Sequence, residues 1–148
     1  MKKICLLLVF CLLLSMCPVF AEETTDAYAL LEQAQAALAT GDYQTAVPLI
    51  RKAADLGDAT AQLWLGDVCA YGIGAEQNDE EAVKYYQLAA DQGNITAKYR
   101  LALCYLEGRG AEKDTGKAEE LLTPCADQGN AESQSLLGYC YLGQYGMK

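Results

Sequence analysis

From Ala97 onward the apolar positions keep a helical period. Taking Ala97 as zero and advancing about 100° per residue, Leu101 falls at about 40°, Cys104 at about −20° and Tyr105 at about 80°. That arc predicts the packed side of a helix. Tyr99, Leu103 and Arg100 fall at about 200°, 240° and 300°, on the opposite side. Along the chain, runs of this kind separated by polar, glycine-bearing corners predict helices at 26–39, 42–56, 59–71, 79–92, 95–107, 115–128 and 131–142.

The pattern repeats. AADQGN at 89–94 returns as CADQGN at 125–130, and Gly57, Gly93 and Gly129 stand 36 residues apart. At that offset Asp55, Asp91 and Asp127 coincide, as do Ala46, Ala82 and Ala118, and Leu65, Leu101 and Leu137, without a gap. A period of this size marks a stacked array of small units. The hexapeptide reads as a tight corner. Its first residues end one helix, Gly93 takes a left-handed conformation just beyond, and Asn94 caps the next helix. Asp58 and Asn130 take the capping place in the neighbouring copies. A longer corner reads YGIGAEQND at 71–79 and EGRGAEKDT at 107–115, with Asn78 or Asp79, and Asp114 or Thr115, available as caps. Pro124 cannot donate to the carbonyl of Glu120, so a kink or early unwinding is expected in helix 115–128.

These residues resemble the Sel-one-like repeat family, a branch of the tetratricopeptide-like helical proteins. One copy carries Ala61, Leu65, Gly66, Gly72, Gly74, Ala82, Tyr85, Tyr86, Ala89, Ala90 and Gly93 of the family motif. The next carries Ala97, Leu101, Tyr105, Gly108, Gly110, Asp114, Lys117, Ala118, Ala126 and Gly129, and a third begins with Leu137, Gly138 and Tyr141. Cys69, Ala75, Ala111, Glu81, Ala102 and Gln144 depart from it. The resemblance implies an all-α, right-handed α-solenoid of about three and a half antiparallel helix pairs. Its units would be a tetratricopeptide-like pair at 28–57, full repeats at 58–93 and 94–129, and a partial repeat at 130–148.

Composition changes the picture at the N-terminus. Lys2 and Lys3 precede an apolar run that ends at Val19-Phe20-Ala21, the layout of a secretory signal cleaved after Ala21. Residues 1–21 are then a signal peptide and 22–27 a polar leader. The run from Ile4 to Phe20 is shorter than the roughly 20 residues of a spanning helix and contains Ser15 and Pro18, which argues against a permanent anchor. Leu14-Ser15-Met16-Cys17 resembles a bacterial lipobox, but Met16 stands where that motif wants a small residue, so lipidation at Cys17 is the weaker alternative. The expected localisation is export from a bacterial cytoplasm, to the periplasm or beyond.

The formal net charge of −9 argues against nucleic acid and against anionic lipid as partners. There is no histidine, no Cys-x2-Cys pair, no nucleophile elbow and no strand before either Gly-x-Gly. Catalytic residues, metal ligands and a cofactor are therefore not expected. Cys69, Cys104, Cys125 and Cys140 follow the signal. Cys104 and Cys140 are repeat equivalents, which stacking places about 8–10 Å apart, too far to bridge. Buried thiols are favoured over disulfides.

The remaining expectation is a non-enzymatic interaction or adaptor module that binds a protein or peptide on the concave face of its first helices. The residues chosen for that face are Trp64, Asp67, Tyr99, Arg100, Leu103 and Tyr139, beside Leu63, Ser135 and Leu136. Helical spacing leaves open that some of them only pack against a neighbouring second helix. Two alternatives stand beside the adaptor reading, the first from the resemblance and the second from the lipobox-like stretch at Cys17. One is a weak cell-wall or β-lactam hydrolase, suggested only for a cysteine-stapled branch whose cysteine spacing is absent here. The other is a structural envelope lipoprotein.

Overall fold

The structure is a computed structural model that describes residues 26–142. The expected signal peptide at 1–21, the alternative lipidation site Cys17, residues 22–25 of the leader and residues 143–148 lie outside the described residues. Seven helices occupy the described part: α1 Ala27–Ala39, α2 Tyr43–Asp55, α3 Ala59–Tyr71, α4 Asp79–Asp91, α5 Ile95–Glu107, α6 Thr115–Asp127 and α7 Ala131–Tyr141. Among the described residues there is no strand. Each helix packs chiefly on its neighbours in sequence, so α1/α2, α3/α4 and α5/α6 form pairs and α7 opens a fourth.

Short polar side chains set the helix starts. The carboxylate or amide oxygens of Asp58, Asn94 and Asn130 accept from the backbone N–H of Ala61, Ala97 and Ser133 at 2.8, 2.9 and 2.8 Å. Asn78 and Asp114, not Asp79 and Thr115, cap the second helices, accepting from Glu81 and Lys117 at 3.0 Å. Each such bond satisfies a donor that the helix start leaves free. Gly93 has φ +88, and a Cβ placed on it would meet open space, so its role is backbone conformation alone. Gln92 adds an inter-repeat link, donating to Gly57 O at 2.9 Å and to Gln62 Oε1 at 2.8 Å.

In the longer corner the second glycine serves close approach. A Cβ on Gly110 would run into the carbonyl oxygen of Asp79, and one on Gly74 would lie 2.5 Å from Tyr43 Cβ. Tyr43 and Asp79 both open a second helix. Each Gly-x-Gly corner is thus pressed against the second helix of the preceding pair. Arg109 fastens the same joint, donating to Asp79 Oδ1 at 3.0 Å and to Ala70 O at 3.4 Å.

The core runs along the stack in three contiguous clusters, around Ile50 and Leu65, around Tyr86 and Leu101, and around Leu122 and Leu137. Burying each leucine fully contributes about 1.5–3 kcal/mol. Ala46, Ala53, Ala61, Ala82, Ala89, Ala97, Ala102 and Ala118 are all buried, and small residues there let the helices approach closely. Tyr86 is the largest buried side chain. Its ring lies over Gly66, where a Cβ would sit 2.6 Å from Cδ1 and Cε1, and its hydroxyl donates to Asp67 Oδ1 at 2.7 Å. One repeat on, Ala102 stands for Gly66 and Leu122 for Tyr86, both fully buried. The larger residue on one helix answers the smaller on the other.

Pro124 does not unwind α6 early. The helix runs on to Asp127. Leu122 and Cys125 are fully buried on its inner side, while the tight corner holds its end through Gly129 N–H to Ala126 O and Asn130 N–H to Cys125 O. Gln134 Nε2 also donates to Ala126 O at 2.9 Å. These contacts outweigh the one bond the proline removes. Cys69, Cys104, Cys125 and Cys140 are buried and unbridged.

Candidate partner-binding face

The first helices of successive pairs, α3, α5 and α7, present equivalent positions along one side of the stack. Between α5 and α7 this side sinks into a depression of about 410 Å³, lined by Tyr99, Leu103, Ala131, Glu132, Ser135, Leu136 and Tyr139. A smaller hollow of about 190 Å³ adjoins it, lined by Ile95, Thr96, Tyr99, Arg100, Asn130 and Glu132. Tyr99 and Leu103 are half-buried against the last core cluster, which fixes their position. Tyr139 is 50% exposed and stands on the opposite wall.

Arg100 and Asp67 form a second group on the same side. Arg100 Nε lies 3.4 Å from Asp67 Oδ1, at ion-pair distance but without the alignment of a hydrogen bond. Its Nη1 donates to the Tyr71 hydroxyl at 3.3 Å, and its guanidinium lies 5.9 Å from the Tyr71 ring centroid. Asp67 also receives the Tyr86 hydroxyl. Burial and the Asp67 carboxylate together push the Tyr86 hydroxyl well above the usual phenol range, so it stays protonated as a donor.

The six residues chosen from sequence therefore divide. Tyr99, Leu103 and Tyr139 line the depression and Arg100 borders the adjoining hollow. Trp64 is half-buried against the first two core clusters, and Asp67 is engaged by Tyr86 and Arg100 between helices, so neither lines the depression. Glu132 was not among the six. Its signal was available, because it replaces Thr96 of the preceding copy with an acid at the start of a first helix.

Catalytic chemistry finds little support in the thiols. Burial pushes the Cys104 thiol up to about 11 and raises Cys69 and Cys140 as well, which disfavours the thiolate a nucleophile needs. Among the described residues no group of cysteines and carboxylates is arranged to hold a metal. Among them, too, no helix is long and apolar enough to cross a membrane.

Residues 27–58, 59–94, 95–130 and 131–148 match the model of the Sel1 repeat. No curated protein matches the chain. Among solved structures, a protective antigen of uropathogenic Escherichia coli displaying an SLR fold is 32% identical, with a TM-score of 0.74 over 78% of this chain. The chain spans only 26% of that protein's length. A Sel1 repeat protein from Oxalobacter formigenes is 30% identical over 78% of this chain and 90% of its own, with a TM-score of 0.72. Helicobacter pylori cysteine rich protein B shares the fold at 19% identity, with a TM-score of 0.59 over 63% of this chain and 70% of its own.

Proposed function

We propose that this chain, which belongs to the Sel1 repeat family, is an exported bacterial adaptor that binds a protein or peptide on the side formed by its first helices. Sel1 repeat proteins generally mediate protein–protein interaction. The observation that carries the reading for this chain is the depression between α5 and α7. There, Tyr99 and Leu103 are packed against the last core cluster yet keep surface open to solvent, and the exposed Tyr139 of the next repeat lines the same depression. Rigid aromatic anchors at a concave site are the residues through which interfaces gain most of their energy. Export rests on residues 1–21, whose charged start and apolar run have the layout of a secretory signal. No catalytic step is assigned: burial raises the Cys69, Cys104 and Cys140 thiols, which disfavours the thiolate a nucleophile needs.

A photo-crosslinking amino acid placed at Tyr99 or Tyr139 tests this directly in the producing cells. The same group placed at Leu88, which is exposed on α4, is the control. A discrete partner adduct is expected from the first two positions and not from the third. Equal labelling from Leu88, or none from Tyr99 and Tyr139, rejects the reading.

A further inference from the structure

We propose that the depression between α5 and α7 is a socket for a cationic side chain, arginine or lysine, presented by the partner. This rests on the adaptor reading above and narrows its ligand chemistry. Three features of the depression converge. Tyr99 and Tyr139 stand on facing walls, so a cation entering between them meets aromatic surface. Leu103 and the more deeply buried Leu136 line the same depression and make its lining apolar for a methylene stem. Glu132 stands at the rim shared by the depression and the adjoining hollow.

Charge decides between a cationic and a neutral occupant. Asp67 and Glu107 have arginine partners, Arg100 and Arg109. None of the ion pairs among the described residues includes Glu132, whose carboxylate receives only the Asn130 amide at 3.1 Å. Arg100, the one cationic side chain lining the adjoining hollow, is offset by Asp67 and turned toward Tyr71. The site thus combines two tyrosines with a carboxylate that joins no ion pair among the described residues, in a chain of formal net charge −9. A lysine or arginine suits it: stem on the leucines, head against the rings and the carboxylate. An acidic side chain would meet Glu132 with like charge, and a purely aliphatic one would gain nothing from the carboxylate.

The probe is the acetylated, amidated pentapeptide Ala-Leu-Arg-Leu-Ala, with versions carrying lysine, norleucine or glutamate at the centre. Binding is read from the backbone amide shifts of Tyr99, Ser135 and Leu136 in the isotopically labelled protein. The arginine and lysine peptides are expected to bind there about tenfold more tightly than the norleucine peptide. Glu132→Gln should remove most of that preference, as should raising salt from ~50 to ~300 mM. Tyr139→Leu, which keeps the wall apolar, should weaken the cationic peptides while leaving the norleucine peptide nearly unchanged. Thermal melts of both variants check that the fold is retained, and both positions are exposed. A norleucine peptide that binds as well as arginine, or shifts that fall elsewhere, overturns the socket. If no peptide binds while crosslinks at Tyr99 and Tyr139 still form a partner adduct, the adaptor reading stands and the cationic occupant is wrong. If the crosslinks fail as well, both fall.

Discussion

Exchanging Gly66 and Tyr86 for the pair found one repeat later tests whether this packing is a matched set. In Gly66→Ala the new methyl would lie 2.6 Å from two ring carbons of Tyr86, against the roughly 3.5–4.0 Å of a relaxed carbon contact. The ring is 1% exposed and cannot swing out to solvent. Overpacking of this kind costs about 1–3 kcal/mol, and the better helix propensity of alanine offsets about 0.8–1.0 kcal/mol of it. Tyr86→Leu removes the hydroxyl bond to the Asp67 carboxylate, which contributes about 1.5–3 kcal/mol, and opens a small void. In the double variant the alanine methyl occupies space the ring has left, as Ala102 does beside Leu122. Its loss of stability should be about 1–3 kcal/mol smaller than the sum of the single losses. Urea unfolding followed by far-ultraviolet circular dichroism measures all four proteins. Losses that add to within about 0.5 kcal/mol would show that the two positions do not answer each other.

The two kinds of corner should respond differently to one methyl group. Gly110→Ala combines a left-handed backbone with a clash against the Asp79 carbonyl and should cost about 3–5 kcal/mol, while Gly93→Ala, with open space around it, should cost about 1–2 kcal/mol; comparable urea midpoints would contradict this. The Asp79 carboxyl is held below the usual carboxylate value, first by its hydrogen bond from Arg109. A depressed native value stabilises the fold above about pH 4, and the gain fades as pH falls through that lowered value. Arg109→Met should therefore move the Asp79 titration seen by NMR back toward the ordinary value. The stability gap to the parent should be widest above about pH 4 and stay below about 1 kcal/mol for so exposed a pair, and an unmoved titration would remove Arg109 as the cause.

Repeat spacing made the helices legible, because a corner that recurs must be built from the same few residues each time. Gly93 and Asn94 could be assigned by conformation and capping alone. The binding side was only partly legible. A helical wheel places Trp64 and Tyr99 on comparable arcs, but it cannot tell which neighbours rise to meet each side chain. Tyr86 and Arg100 converge on Asp67 from two different helices, and Trp64 is covered by packing from two clusters. Pro124 misled as to early unwinding for a related reason. Its local effect was readable, whereas the corner and buried leucine that hold the helix together belong to the stack. Ser133 shows the same limit: it stands where Ala61 and Ala97 stand, is fully buried, and its hydroxyl has no partner among the described residues.

The inter-repeat joints also dictate how the molecule should come together and come apart. Among the described residues, the side-chain hydrogen bond that spans most sequence, Arg109 to Ala70 O, joins positions only 39 residues apart. Assembly therefore never requires the two ends of the chain to find one another, and the entropy of closing each loop is met one repeat at a time. Any helix pair can act as a seed to which the next is added. Amide hydrogen exchange should accordingly be slowest in α3, α4 and α5, at the middle of the stack, and should quicken outward toward α1 and α7.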